Sequence, residues 1–394
     1  MRIVYTNDVH SHLTQSTTLW RALDEARGQG ALVIDGGDFL EGTYFFAHHD
    51  GAPELQLLDA LFDITCPGNH GFGHVRHHDF QRCQVVCLNL VDEATQTPHF
   101  TPHLTIEGTT FTGIMTPEVF ETIPYKERQG LCCLDPWSTL ASWFDTTSAQ
   151  EVVVLSHCGL DIDVAMMPIR PELKLVLSSH CHSPHHQAQR EHVLMIKAPE
   201  YARGYVDVET TNPKASAQVV TVPPSEAVCA LPARLMFLAD AIQQTQHMAS
   251  QIIGHWTQAE AYPNRVELTH GVLASWFASW PEANVGLLNI TCMRHLLPVG
   301  PVTREALYGL FPFGNRIVKA HVTRSDYQTV VARLERFMPG MVVEHIADEV
   351  LPEQCILLTS SHLWENFFTT HTQGVEVAFI RDHFGVHMLD AQSL

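Results

Sequence analysis

Basic residues are scarce in this 394-residue chain: 23 lysines and arginines stand against 43 aspartates and glutamates, a formal charge of −20 with histidine neutral. That imbalance argues against a nucleic-acid backbone or an anionic membrane as the main partner. A small anionic substrate remains compatible, because a bound cation reverses the sign of the field locally. Long apolar runs are missing as well. None reaches the roughly 18 residues that a membrane span needs. The start, Met1-Arg2-Ile3-Val4-Tyr5-Thr6-Asn7-Asp8, has no apolar stretch leading to a small-residue cleavage site, so the chain as given is expected to be cytoplasmic. The 10 cysteines include no CxxC pair, and the adjacent Cys132 and Cys133 are badly placed for a disulfide. They are expected to pack as small hydrophobes, Cys158 and Cys181 among them. No internal repeat and no low-complexity segment is present.

What is abundant is histidine, with 26 copies, and apolar residues, at 45%. The length suits two domains, each able to bury a core. Residues 2–6 are β-prone and end at Asp8-Val9-His10. Leu19, Ala22, Leu23 and Ala26 recur at helical spacing, with Gly28 as a natural stop. Ala31-Leu32-Val33-Ile34 is a continuous apolar run, the pattern of a strand buried on both faces, and it ends at Gly36-Gly37-Asp38. Pro53 opens a helix, and Ile64-Thr65 precede the turn Gly68-Asn69-His70. Strands follow over 84–88, 110–115, 152–155 and 173–177, with a helix from Asp135-Pro136 to Phe144. The last two strands end at Ser156-His157 and at Ser178-Ser179-His180-Cys181-His182. Strands alternating with helices predict a largely parallel or mixed sheet, where ligands collect beyond the carboxyl ends of the strands.

From Thr211 the texture changes, with Asn212-Pro213, Pro223-Pro224 and then one predicted helix over 231–253. The expected division is a catalytic domain over 1–210, a linker and connecting helix over 211–250, and a second domain over 251–394.

Carboxylates, imidazoles and an amide oxygen at the ends of several strands suit Mn²⁺, Zn²⁺, Fe²⁺ or Co²⁺. Two such ions need a shared ligand, and Asp38 is the natural bridge because a carboxylate has two oxygens. Asp8, His10 and His182 would complete one site, and Asn69, His157 and His180 the other. A bridging water acidified by both ions would supply the attacking hydroxide of a phosphoryl transfer. His70 would steady the phosphoryl oxygens or protonate the leaving alkoxide.

Thr6-Asn7-Asp8-Val9-His10, Gly36-Gly37-Asp38, Gly68-Asn69-His70, Leu155-Ser156-His157 and His180-Cys181-His182 stand in the order and spacing of a known family. With them the chain resembles the 5′-nucleotidase branch of the calcineurin-like metallophosphoesterases. The resemblance implies an α/β metallophosphoesterase sandwich followed by a smaller α/β 5′-nucleotidase C-terminal domain. It also implies a small phosphorylated substrate, most naturally a nucleotide. Asn289 to Arg294, Leu296 to Thr303 and Phe311-Pro312-Phe313-Gly314-Asn315 continue the match. By resemblance, Asn289 and Arg294 would hold the nucleotide, Phe313 would stack on the base, and His362 would replace the second stacking aromatic.

The chain departs from the family at specific points. The Asp usual three residues after the catalytic His is Gly73, which leaves His70 without its expected orienting partner; His74 and Asp79 are the nearby replacements. Ser178-Ser179 replace a Gly-Gly, and Ile290 to Met293 replace small glycines. Phe368 falls where a base-binding Asp would stand, and Arg265 only loosely matches an expected Arg. The expected function is phosphate release from a nucleoside 5′-monophosphate or relative. The alternative is another reaction at the same metals: phosphodiester, pyrophosphate or sulfur-ester hydrolysis, or iron-dependent redox chemistry.

Overall fold

The apolar runs are strands buried on both faces: Val33, Ile34, Val152 to Leu155 and Leu175 to Leu177 have no solvent exposure. Their backbone groups must therefore find partners within sheets. The structure, a computed structural model, describes residues 1–183, 186–210, 215–223, 230–347, 350–368 and 374–390. It divides into two compact units. The first comprises Met1–Glu41, Phe45–Ile123 and Glu127–Thr245; the second Gly42–Tyr44, Pro124–Lys126 and Gln246–Leu394.

Two six-stranded sheets build the first unit. One runs in the order Ser216–Thr221, Gly204–Glu209, Arg2–Thr6, Leu32–Asp35, Ile64–Thr65, Gln84–Val85. The other runs Gln187–Arg190, Val193–Ile196, Leu173–Ser178, Glu151–His157, Thr109–Met115, His103–Ile106. In the first, the pairings from Arg2–Thr6 through Gln84–Val85 are parallel and those of Gly204–Glu209 antiparallel; in the second, the three central pairings are parallel and both outer ones antiparallel. The sheets face each other across one core, in which Ile3, Tyr5, Ile34 and Ile64 meet Phe111, Val153, Leu155 and Leu177. Helices cover the outer faces. Leu19, Trp20 and Leu23 of Thr17–Gly28 pack with Leu57 and Leu58 of Ala52–Leu61 on one side. Leu140 and Phe144 of Pro136–Thr146 cover the other, with Asp135 capping that helix by accepting the Ser138 N–H.

Within the expected linker, residues 215–223 and 230–245 are built into this unit, and the second unit takes over at Gln246. Ser216–Thr221 pairs antiparallel with Gly204–Glu209, and Leu238, Ala241 and Ile242 of helix Met236–Ala249 enter the core with Trp20 and Leu58. The helix expected over 231–253 ends at Ala249, after a 3₁₀ turn at Ala233–Leu235. Ile252–Trp256 forms a strand instead, paired antiparallel with Gly300–Thr303. A β-branched pair read as the next helical turn is claimed by a distant partner.

The second unit holds a five-stranded mixed sheet, ordered Val342–Ile346, Val285–Asn289, Gln354–Ser360, Arg316–Thr323, Gly374–Phe379. Helix Arg265–Ser279 packs Leu268, Val272, Leu273 and Trp276 on one face, and Arg324–Phe337 packs Tyr327, Val330 and Leu334 on the other. All described cysteines are free. Among the described residues no helix is long and apolar enough to cross a membrane.

One buried carboxyl ties two strand ends that lead to the site. The hydroxyls of Ser156 and Ser178 each donate to Asp163, at 2.6 Å. Burial pushes the Asp163 pKa up to about 7, against those two bonds, which lower it. A carboxyl raised in the folded state stabilises the fold below its unfolded pKa and loses that contribution as pH climbs toward the folded value. The window here is about pH 4 to 7. Asp163→Asn cannot ionise, so the Tm difference between variant and wild type is expected to shift in the variant's favour between about pH 4.5 and 7.5. Paired thermal melts read this directly; a constant difference would show that Asp163 does not titrate in that range.

Candidate metal centre and active site

The parallel strands of the first unit deliver polar side chains from their carboxyl ends. Asp8 and His10 follow Arg2–Thr6, Asp38 follows Leu32–Asp35, and Asn69 and His70 follow Ile64–Thr65. His157 closes Glu151–His157, and His180 follows Leu173–Ser178. The first two loops zip together: Asp8 N donates to Gly37 O at 3.1 Å, and His10 N to Asp38 O at 2.9 Å. Such tight loops bend the backbone into the left-handed region, with φ of 49° at Asp8, 47° at His10, 54° at Asp38 and 75° at His180. Left-handed backbone costs an L residue roughly 1–2 kcal/mol, least for Asp and Asn, and collects at functional sites. Gly68 answers a different need. A side chain there would overlap the Asp38 carboxylate.

Asp38 lies at the centre. Its Oδ1 accepts the His70 backbone N–H at 2.8 Å, and its Oδ2 stands 3.3 Å from His157 Nε2 and 3.8 Å from His10 Nε2. It belongs to two candidate ligand groups, His10–Asp38–His70 and Asp38–His157–His180, each with donor atoms within 4.8 Å of one another. Asn69 Oδ1 adds to the second, 3.3 Å from His157 Nε2 and 3.2 Å from His180 Nδ1.

The protonation of His157 follows from its partners. Its Nδ1 lies 2.8 Å from Gly36 O, and a carbonyl only accepts, so Nδ1 carries a proton; Nε2 faces two more acceptors, Asp38 Oδ2 and Asn69 Oδ1, and is the atom that would give up its proton to ligate a cation. The Ser179 hydroxyl braces the same edge, donating to Gly36 O at 2.6 Å. The donor set fits a divalent cation: a carboxylate, imidazole nitrogens and an amide oxygen converge.

Charge follows the same pattern. Burial acts to raise the Asp38 carboxyl, but the imidazoles of His157, His70 and His10 prevail and hold it well below the usual carboxylate range. Burial acts to lower His157, and Asp38 with Asp8 raises it well above the usual imidazole value. For His180, burial and the neighbouring His157 push the pKa down to about 3, so it is neutral and able to ligate. Burial raises Asp8, with Asp38 adding to it and His157 and His182 opposing.

Asp8 and His182 take different surroundings from the central cluster. Both Asp8 oxygens lie 3.1 Å from the His180 backbone N–H, and Asn7 braces the loop by accepting the Ala198 N–H at 2.7 Å. The His182 ring centre is 5.6 Å from that of His10. Its Nδ1 is 2.8 Å from Glu200 Oε2, and its face stacks on Tyr201 at 5.3 Å and 7°. Beneath it Lys197, fully buried, donates to Cys181 O at 2.8 Å and Ser183 O at 2.7 Å, which pins the loop. Sequence reasoning missed Lys197, Glu200 and Tyr201. The legible signal was a lysine directly after the apolar run Val193 to Ile196. Cys181 packs as expected, its Sγ accepting the Leu160 N–H at 3.3 Å.

The residues expected to bind substrate lie in the second unit. Arg294 and Phe313 come together, the guanidinium 5.6 Å from the ring centre. Asn289 ends strand Val285–Asn289; its amide donates to Thr291 Oγ1 at 2.6 Å, and its Oδ1 is buried without a hydrogen-bond partner among the described residues. His362 sits in helix Ser361–Phe367, where the Asn366 amide donates to its carbonyl at 2.9 Å. Phe368 is buried and stacked on Trp364 at 5.3 Å.

Comparison with known proteins agrees with this architecture. Residues 1–184 match the calcineurin-like phosphoesterase family. The chain is 23% identical over 357 residues to an uncharacterized metallophosphoesterase of Bacillus subtilis (strain 168), YunD, covering 84% of this chain and 77% of that one. It is 22% identical over 366 residues to the endonuclease YhcR of the same organism, covering 78% of this chain but spanning only 29% of that protein. The solved 5′-nucleotidase precursor of Thermus thermophilus has a TM-score of 0.70 at 18% identity, with 98% of this chain and 96% of that chain covered. The sulfate thiohydrolase SoxB of the same organism reaches 0.68 at 14% identity, covering 98% and 93%. At such identities the likeness is one of fold. The whole chain thus carries the two-domain α/β fold of the 5′-nucleotidases, and its residues 1–184 match the calcineurin-like phosphoesterase family.

Proposed function

We propose that this protein is a metal-dependent phosphohydrolase that releases phosphate from a nucleoside 5′-monophosphate or a related nucleotide. The observation that carries the reading is the convergence on Asp38 of His10, His70, Asn69, His157 and His180 at the carboxyl ends of parallel strands. Asp8, His10, Asp38 and His182 would hold one divalent cation and Asp38, Asn69, His157 and His180 a second, of Mn²⁺, Zn²⁺, Fe²⁺ or Co²⁺. Bound there, such cations neutralise phosphoryl charge and acidify water.

The chain's own residues supply the rest. His70 stands beside His10, with ring centres 5.0 Å apart. Its role in this reading is to hold a phosphoryl oxygen or to pass a proton to the departing alkoxide. Gly36 O and Ser179 hold the Nδ1 edge of His157 in place and leave Nε2 turned to the site. Asn289, Arg294, Phe313 and His362 would take the nucleoside, the aromatic faces stacking on the base and the guanidinium meeting anionic oxygen.

The test is phosphate release from a panel of nucleoside 5′-monophosphates with added Mn²⁺, run beside metal analysis of the isolated protein. Release that stops with chelator and returns with metal is the expected outcome. Bound metal without release from any member would overturn the monoester reading in favour of phosphodiester, pyrophosphate or sulfur-ester hydrolysis.

A further inference from the structure

The family resemblance leaves His70 without the carboxylate expected at position 73, and the structure offers one from another loop. Glu41 Oε2 lies 3.2 Å from His70 Nδ1, with both side chains about one-fifth exposed, at 21%. Glu41 follows Asp38 on the loop after strand Leu32–Asp35, so the same turn carries the central carboxylate and this second one. Its backbone lies in the left-handed region, φ 66°, as at Asp38 on the same loop.

Position 73 is unsuited to the role here. Glu127 Oε2 accepts the Gly73 N–H at 2.8 Å, and a Cβ on residue 73 would come within 2.9 Å of that carboxylate. An aspartate at 73 would have to displace Glu127 and would repel it. His74 turns elsewhere, its Nε2 3.4 Å from Asp50 Oδ1.

We infer that Glu41 is the positioning residue of His70, replacing from the Asp38 loop the carboxylate that position 73 lacks. The inference rests on the phosphohydrolase reading for its kinetic consequence and on geometry alone for the contact. An ionised carboxylate only accepts, so the bond places the His70 proton on Nδ1 and the lone pair on Nε2. It also fixes the ring plane, which a side chain on a loop would otherwise vary.

The test uses the full chain, zinc-loaded, with Glu41→Ala and Glu41→Gln made in the wild-type and His70→Ala backgrounds. Turnover of p-nitrophenyl phosphate and AMP is expected to fall roughly 10- to 100-fold in kcat for Glu41→Ala, with KM and metal content near wild type. Glu41→Gln keeps an accepting oxygen and the shape, so its loss should be smaller. In the His70→Ala background, Glu41→Ala should cost nothing further, because a residue that acts through another is silent once that one is gone. A full second loss in that background, or wild-type kcat in Glu41→Ala, overturns the inference. A readout free of turnover is the ¹⁵N spectrum of the histidine rings, with His70 assigned by its absence in His70→Ala. The Nδ1-protonated tautomer should dominate in wild type and give way to a mixture in Glu41→Ala. If no substrate is turned over but the tautomer responds to Glu41, the positioning role stands and the phosphatase reading fails. If phosphate is released and the tautomer ignores Glu41, the positioning role fails alone.

Discussion

Asp38→Ala is expected to lose metal at both positions of the site and to lower phosphate release by roughly 10³-fold or more. That loss corresponds to several kcal/mol of transition-state stabilisation. The reason is geometric. Asp38 is common to both ligand groups and also accepts the His70 backbone N–H, so among the described residues it is the side chain that joins the two halves of the site. The substitution should also lower the Tm of metal-free protein. His157 has no exposed side-chain surface, and removing the carboxylate 3.3 Å from its Nε2 strands a buried imidazole whose charge had a partner. Breaking a buried pair of this kind costs roughly 3–5 kcal/mol. Asp38→Asn keeps the volume and separates the charge effect from packing. Metal per chain, measured by elemental analysis, is the decisive reading: full occupancy in Asp38→Ala would end the shared-ligand assignment.

His70→Ala is expected to behave differently, with kcat down roughly 10²- to 10⁴-fold, the usual worth of a positioned acid or base, and metal content unchanged. The contact with Asp38 runs through the His70 backbone amide, at 2.8 Å, so it survives truncation of the ring. This experiment is discriminating because the His70 ring also falls in the cluster with His10 and Asp38. A parallel loss of metal would make His70 a ligand, and the acid would have to be sought elsewhere. His70→Gln provides a second variant of similar volume.

Much of the site was legible because its residues sit where the sequence changes texture. Val33-Ile34 and Val152 to Leu155 are unbroken apolar runs, and the abrupt polar residues after them mark strand ends. Parallel pairing then brings those ends to one side of the sheet, so linear order implies spatial convergence. What escaped notice depends on distance in the chain. Glu41 reads locally as an ordinary acidic residue before a glycine; its meaning comes from His70, in a loop one strand further along the sheet. Glu200 and Tyr201 follow Pro199 in an unremarkable turn and matter only because that turn meets His182. Strands Gly204–Glu209 and Ser216–Thr221 lie in or beside a stretch whose prolines and asparagines suggested a connector. The first of them pairs with Arg2–Thr6, a contact across about half the chain, which local propensity does not encode.

The left-handed backbone at His10 and His180 sets a cost against the side chains it carries. At each position glycine would relieve the backbone, by roughly 1 kcal/mol after its own entropic penalty. In the proposed function glycine would hold no cation at 10 or 180 and no imidazole at 41, so the donor atom and the easier backbone are alternatives at all three positions.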